Sequence, residues 1–192
     1  FTPPALWPAA PALFTRNDLA GAPPRFSPPP PRGGAAPRQH AFPDPPVNPT
    51  VYARASSYEP PVEAWNEGVK VILQPDQRWA RCDVKSLNYL PNVLANQAAH
   101  EAGAYEALQV RDGFVTEATH SSVAAVFNGT GTLHPITNYT LPSITRAVTL
   151  ELCDELDILV DKAPVAATEL PDADALFLMG TTTGIMPIVQ VD

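Results

Sequence analysis

The pattern of apolar and polar residues becomes regular about a third of the way along the chain. VKVILQP, residues 69–75, is an apolar run that ends at a proline, which is typical of a buried strand. In RWARCDVK, residues 78–85, apolar and polar side chains alternate. We therefore predict a second strand here, with its core-facing side chains at Ala80, Cys82 and Val84.

A helix is predicted directly after this strand. Pro91 suits the first turn of a helix, and Gly103 suits the left-handed residue that ends one. Lys85 therefore lies where a strand gives way to a helix. The apolar stripe that we expect this helix to bury consists of Val93, Leu94, Ala98 and Ala102.

Two hairpins are predicted next. The dipeptide Asp112-Gly113 separates AYEALQV from FVTEA, and Asn128-Gly129 separates SVAAVF from TLHPI. Both dipeptides favour the tight turns of hairpins, whose central residues need positive φ.

The remainder of the sequence predicts one helix and three strands. Ser143 can cap a helix, and the apolar residues that share one face of this helix are Ile144, Ala147, Val148, Leu152 and Leu156. The segments ILVDKAPV, ALFLMG and IMPIVQVD are apolar and predict strands. Strand pairs joined by turns, with helices between them, indicate a mixed α+β domain rather than a doubly wound parallel sheet.

The first 62 residues have a different composition, with seventeen of the 24 prolines. Before about residue 32 neither a helical nor a strand period is sustained. We predict a poorly ordered proline-rich segment at 1–31, a connecting segment at 32–68 and a folded domain at 69–192. Because the chain begins with Phe and ends within a predicted strand, we expect it to be a fragment of a longer protein.

Charge and composition exclude several classes of protein. The net charge of −8 disfavours a nucleic-acid partner, since phosphate binding needs a surplus of Lys and Arg. No apolar run reaches the ~18 residues of a membrane span, and no secretory signal is recognisable. Cys82 and Cys153 are too few for a disulfide framework or a metal cage. We expect a cytoplasmic protein without a membrane partner or a bound metal.

Lys85 and Glu117 are the first chemical candidates. Lys85 is one of three lysines, and Lys70 and Lys162 lie in apolar strands where an outward lysine is ordinary. Burial or nearby charge can lower the pKa of a lysine. The free amine that results can form a Schiff base with a carbonyl. Glu117 stands among hydroxyl residues that could hold a polar cofactor. Spacing alone favours a solvated charge for both residues and leaves the chemical role as the alternative.

Three further segments could bind anions. The GTTTG loop, residues 180–184, and the start of the Ser143 helix could each present backbone N–H groups to a phosphate. In PRQHAFP, Arg38 and His40 lie on one side of an extended segment and could bind a carboxylate. Each segment taken singly could be an ordinary loop.

Together these segments resemble a known family. RWARCDVKSLNYLPNVLANQAAHEAGAYEALQVRDGFVTEATHSS is similar to the core of the D-amino acid aminotransferases, which belong to the fold-type IV pyridoxal-phosphate enzymes. RGGAAPRQHAFP before it, and LPSITR and FLMGTTTGIMPIVQVD after it, match further family segments in the same order. The resemblance covers roughly residues 32–192 and implies the large cofactor-binding domain of that fold, with the small N-terminal domain absent or degenerate.

The resemblance implies a role for each candidate. Lys85 matches the lysine that holds pyridoxal phosphate as a Schiff base and then moves the substrate proton, and Glu117 matches the carboxylate at the pyridine nitrogen. Ser121 falls in the same cofactor site. The expected phosphate ligands are Ile144, Thr145, Gly180 and Thr181.

The resemblance also implies the substrates and the assembly. Arg38 and His40 match a pair that binds the substrate α-carboxylate from across a dimer interface, so a homodimer is expected. The implied reaction transfers an amino group from a D-amino acid such as D-alanine to 2-oxoglutarate. The alternatives are a branched-chain aminotransferase, an aminodeoxychorismate lyase or a non-catalytic remnant. Ser143 departs from the family, which commonly has glycine there in a turn that could require positive φ.

Overall fold

The computed structural model describes residues 11–12, 15–16, 25–27, 40–48, 52–54 and 57–192. The chain forms two compact units, Phe1–Glu59 and Pro60–Asp192. In the first unit, β1 (Arg25–Ser27) pairs antiparallel with β2 (Tyr52–Arg54). Arg38 and most of the proline-rich segment lie outside the described residues, so the division predicted from composition stays a prediction.

The second unit contains one large sheet and three α-helices within the described residues. Its elements are α1 (Val62–Glu67), β3 (Val69–Pro75), α2 (Leu90–Glu101), β4 (Glu106–Arg111), β5 (Phe114–Ala118), β6 (Ser122–Phe127), β7 (Thr130–Thr132), α3 (Ile144–Glu155), β8 (Val160–Asp161), β9 (Val165–Ala166), a 3-10 helix (Ala167–Asp172), β10 (Ala175–Gly180) and β11 (Gly184–Val191). None of the helices in the described ranges is long and apolar enough to cross a bilayer.

The sheet has the strand order β8-β7-β6-β10-β11-β3-β4-β5-β9. The pairs β11/β3, β3/β4 and β7/β8 are parallel, and the others are antiparallel, which confirms the predicted α+β class. The edge strands β8 and β9 are separated in sequence only by residues 162–164. Because that connection spans at most about 14 Å, the two edges of the sheet approach each other and the sheet is rolled.

Apolar side chains cover both faces of the central strands. Val71 and Leu108 belong to the main core, while their neighbours Ile72 and Ala107 pack on the opposite face. Ala95 and Ala99 of α2 complete this second cluster. The alternation along β3 and β4 follows from the period of two in a strand, and it places a helix on one face and the main core on the other.

Both predicted hairpin turns are confirmed. Asp112 and Gly113 have φ values of 51° and 86°, and Asn128 and Gly129 have φ values of 49° and 77°. Two consecutive positive φ angles match the right-handed twist of the flanking strands, which explains why these dipeptides connect β4 to β5 and β6 to β7. Pro91 lies in the first turn of α2, and Gly103 has a φ of 66° after its end, also as predicted.

The predicted strand in RWARCDVK is wrong, since residues 76–89 form turns and irregular chain. Ala80 and Val84, which the alternating pattern assigned to the core face, are exposed, whereas Cys82 and the charged Arg78 are buried. The Arg78 N–H donates to Asp76 Oδ1 at 3.0 Å, and the Cys82 N–H donates to the Asn138 carbonyl at 2.7 Å. These bonds use backbone donors that a strand would direct to a neighbouring strand.

The apolar stripes of the two long helices do not mark their buried sides, although Ala98 of α2 packs against the second cluster. In α2, Val93 and Leu94 are exposed, because the close approach to the sheet is made by the small residues Ala95 and Ala99. In α3, the predicted apolar face is exposed, Ile144 by 79%, whereas Arg146 is only 4% exposed. The more buried side of α3 is Arg146, Thr149, Leu150 and Cys153.

The segment ILVDKAPV was predicted as one strand and forms two. Its first part is β8 and its second part is β9, which lie at opposite edges of the sheet. Pro164 stands between them, and a proline cannot donate a ladder hydrogen bond. The remaining two predicted strands are confirmed as β10 and β11.

Candidate active site

Lys85 lies in the irregular segment between β3 and α2. Its side chain is exposed, and within residues 57–192 no hydrogen bond or ion pair holds its ammonium group. Lys70 instead pairs with Asp192, with 2.5 Å between Nζ and Oδ2. Of these two lysines, only Lys85 has an amine free to reach a ligand.

Two carboxylates and two guanidinium groups form a charge cluster, which consists of Asp76, Arg78, Arg111 and Glu117. Arg78 donates to both oxygens of Asp76, from Nε at 2.9 Å and from Nη2 at 2.8 Å, and its Nη1 donates to Glu117 Oε1. Arg111 Nη2 lies 3.1 Å from Asp76 Oδ1. The four formal charges sum to zero, which allows the cluster to be largely buried without a net charge.

Neighbouring charges shift the pKa values within this cluster. Burial alone would raise the pKa of Asp76, but hydrogen bonds from Arg78 and Arg111 hold it well below its usual value. Burial raises the pKa of Glu117 above its usual value, while Arg78 and the Leu141 N–H oppose that rise by stabilising the carboxylate. Asp76 is therefore ionised at neutral pH, and Glu117 is a buried carboxyl group whose ionised form is stabilised by Arg78.

The charge cluster also fixes the segment that leads into α3. Arg78 Nη2 donates to the Tyr139 carbonyl at 3.0 Å, and the Leu141 N–H donates to Glu117 Oε2 at 2.8 Å. The Arg111 guanidinium lies 4.2 Å from the centre of the Tyr139 ring, a cation–π contact. Glu117 on β5 and the start of α3 are consequently held together, although they are far apart in sequence.

Ser143 caps α3 as predicted. Its Oγ accepts the Arg146 N–H at 3.3 Å, and its φ of −79° is ordinary for an L-residue. The serine that replaces the family's usual glycine therefore causes no backbone strain. The Ile144 and Thr145 amides come before Arg146 in the first turn, where the helix itself supplies no acceptor. They are available to an anion.

Arg146 adds positive charge to this helix start. Its Nε and Nη2 are buried without a hydrogen-bond partner in the described part of the chain. Burial lowers the pKa of Arg146, and Glu117 opposes that change. A cation in the first turn is also disfavoured by the positive end of the helix dipole. An anion bound at this helix start would relieve both effects.

A second polar cluster orders the turn after Glu117. Glu106 Oε1 accepts the N–H of His120 at 2.6 Å and of Ser121 at 3.0 Å. Ser121 Oγ lies 3.1 Å from Thr183 Oγ1, in the turn between β10 and β11. A Cβ on Gly180 would lie 3.2 Å from Thr183 Oγ1 and 3.3 Å from Ser121 Oγ, so glycine suits this close approach.

The structure brings most predicted site residues into two connected sets within Pro60–Asp192. One set joins Glu117 to the segment that leads into Ile144 and Thr145, and the other joins Ser121 to Gly180 and the neighbouring Thr181. Lys85 is connected to neither set. His40 is exposed in the first unit, and its partner Arg38 lies outside the described residues. The roles of all these residues stay predictions.

Sequence reasoning missed the residues that support these sets. Asp76 and Arg78 flank Gln77 directly after β3, and their spacing alone does not distinguish a buried pair from a solvated one. The sequence pattern places Glu106 within an apolar hairpin strand, and Trp65 falls in the predicted connecting segment. The one usable signal was Arg146, a cation in a helical first turn where cations are unfavourable.

Comparison with known proteins identifies relatives along most of the chain. The sequence profile of the family described as amino-transferase class IV matches residues 31–191. A D-alanine aminotransferase from Staphylococcus epidermidis is 41% identical over 159 residues, which cover 83% of this chain and 56% of that protein. The chain therefore spans a little over half the length of this relative.

Solved structures share the fold. A branched-chain amino acid aminotransferase from Thermobaculum terrenum, in its PLP form, is 30% identical with a TM-score of 0.64, and the match covers 74% of this chain and 48% of that one. A provisionally assigned 4-amino-4-deoxychorismate lyase from Legionella pneumophila has a TM-score of 0.76 at 24% identity, over 94% of this chain and 66% of that one, which is a likeness of fold. This chain belongs to the class IV aminotransferase family.

Proposed function

We propose that the chain is the cofactor-binding domain of a pyridoxal-phosphate-dependent D-amino acid aminotransferase. The 41% identity to a D-alanine aminotransferase over 159 residues carries this proposal. The reaction exchanges an amino group between a D-amino acid such as D-alanine and a 2-oxo acid such as 2-oxoglutarate. A cytoplasmic location and a homodimer are part of the same proposal.

The donor set of the site fits pyridoxal phosphate. An anionic phosphate would find the first amides of α3 at Ile144 and Thr145. Arg146 lies in the same turn, and its Nε and Nη2 have no hydrogen-bond partner among the described residues. Gly180 and Thr181 would contribute from the second set. A protonated ring nitrogen suits the buried carboxylate of Glu117, and an aldehyde suits the free amine of Lys85.

When bound, pyridoxal phosphate supplies an electron sink for the negative charge that develops at the substrate Cα. Lys85 would hold the cofactor covalently through Nζ and, once displaced by substrate, would carry a proton away from Cα. Glu117 would keep a proton on the ring nitrogen. Arg78 and the Leu141 N–H hold Glu117 in place from both of its oxygens, so the carboxylate is oriented before any ligand binds.

Substrate specificity would come from a pair of residues that acts from across the interface of the proposed homodimer. Arg38 and His40 are proposed to bind the α-carboxylate of the substrate by charge and hydrogen bonds. Because a D- and an L-amino acid present opposite faces when the carboxylate is fixed, the position of this pair would select the stereochemistry.

The proposal is tested by measuring 2-oxo acid formation from D-alanine and from L-leucine with the PLP-loaded protein and 2-oxoglutarate. We expect turnover of D-alanine, a large loss in Glu117→Gln, and none in the control Glu155→Gln, whose side chain is exposed at the end of α3. Faster turnover of L-leucine would favour the branched-chain alternative. Tight cofactor binding without transfer from either amino acid would favour a lyase or a non-catalytic remnant.

A further inference from the structure

Trp65 of α1 contacts the turn between β10 and β11, although it is not among the proposed cofactor ligands. Its indole Nε1–H donates to the Thr183 carbonyl at 2.7 Å. A Cβ on Gly184 would lie 3.1 Å from the indole ring, and Gly184 has a φ of 67°. Glycine at this position therefore lets the indole lie close against the backbone of the turn.

Thr183 is held from a second direction by its side chain. Its Oγ1 lies 3.1 Å from Ser121 Oγ, and the residue is only 1% exposed. Thr181, two residues earlier in the same turn, is exposed. Trp65 and Ser121 therefore hold the Thr183 end of the turn by hydrogen bonds. The Thr181 end is exposed, so a ligand can reach it.

We infer that Trp65 is a positioning residue that fixes residues 181–183 in the shape that binds the phosphate group of the cofactor. A turn that binds an anion through backbone N–H groups gains affinity when those groups are ordered before the ligand arrives. Ser121 contacts the Thr183 hydroxyl and Trp65 donates to the Thr183 carbonyl, so the two residues order Thr183 through different atoms. The inference rests on the proposed function, since it takes pyridoxal phosphate as the ligand.

The test compares pyridoxal phosphate with pyridoxal, which has the same ring and aldehyde but no phosphate. In Trp65→Phe an aromatic ring remains and the N–H donor is lost. We expect the dissociation constant for pyridoxal phosphate to rise roughly three- to tenfold, as for the loss of one hydrogen bond, and that for pyridoxal to stay unchanged. Val62→Ala, at an exposed position of the same helix, is the matched control and should change neither.

Each outcome has a defined meaning. Equal weakening of both ligands in Trp65→Phe would show a general structural role, and no weakening of either would show that the indole is dispensable; both overturn the inference. If Trp65→Phe does not fold, Thr183→Val removes the other hold on the turn and should show the same selective loss. If the unsubstituted protein binds pyridoxal phosphate no more tightly than pyridoxal, this result contradicts the proposed function itself.

Discussion

Replacing Arg78 with methionine should lower the free energy of unfolding by about 3–5 kcal/mol, the usual cost of removing one partner from a buried ion pair. Methionine keeps an unbranched side chain but leaves Glu117 without its guanidinium partner. Asp76 retains Arg111 and the Thr116 hydroxyl, at 3.1 and 3.0 Å, so most of the cost falls on Glu117 and on the unpaired Tyr139 carbonyl. A loss of this size is a large fraction of the stability of an ordinary domain.

Urea unfolding followed by circular dichroism measures this loss. Arg81→Met is the matched control, because Arg81 also bonds an aspartate two residues away, Asp83, but is exposed. The control should leave the free energy of unfolding unchanged. In the double variant Arg78→Met with Glu117→Gln, part of the loss should be recovered, since the unpaired charge is gone. A change of less than about 1 kcal/mol in Arg78→Met would refute the assignment of the cluster as a buried and balanced set.

Three further predictions follow from local features. Asp76 has a pKa lowered from 3.8, so its charge stabilises the fold above that value and the contribution is lost as the pH falls below it. Thermal unfolding between about pH 2 and 5 should therefore depend less on pH in Asp76→Asn. Ser143→Ala should cost about 1 kcal/mol through loss of the α3 cap, whereas unchanged urea unfolding would show that the bond to Arg146 is unimportant. Gly113→Ala, at a φ of 86°, should cost about 1 kcal/mol in the same assay, and Gly131→Ala, whose Cβ would make an ordinary 3.5 Å contact, should cost less.

Local chemistry explains what could be predicted from the sequence. The features that were predicted correctly depend on residues that are adjacent or three apart. They are the turns at Asp112-Gly113 and Asn128-Gly129, the proline at the start of α2 and the cap at Ser143. Their conformations follow from sterics and hydrogen bonding within the segment itself. The family resemblance also depends on short segments of sequence that occur in the expected order. It is the source of the predicted site residues.

Long-range contacts explain what could not. The strand predicted in RWARCDVK fails because Arg78 bonds Glu117, 39 residues away. Likewise, the bond between Leu141 and Glu117 joins residues 24 apart and helps to set how the chain enters α3, so the apolar stripe of that helix could not reveal which side is buried. Two nitrogens of Arg146 lack a partner among the described residues, and this is visible only once the packing around the side chain is known.

The most direct test of the proposed role of Lys85 is reductive trapping. The protein is loaded with pyridoxal phosphate, treated with borohydride and digested, and the modified peptide is located by mass spectrometry. The account predicts a phosphopyridoxyl group on Lys85, with Lys70 and Lys162 unmodified, and no modification in Lys85→Ala. A phosphopyridoxyl group on another residue, or a protein that binds the cofactor but cannot be trapped at all, would contradict it.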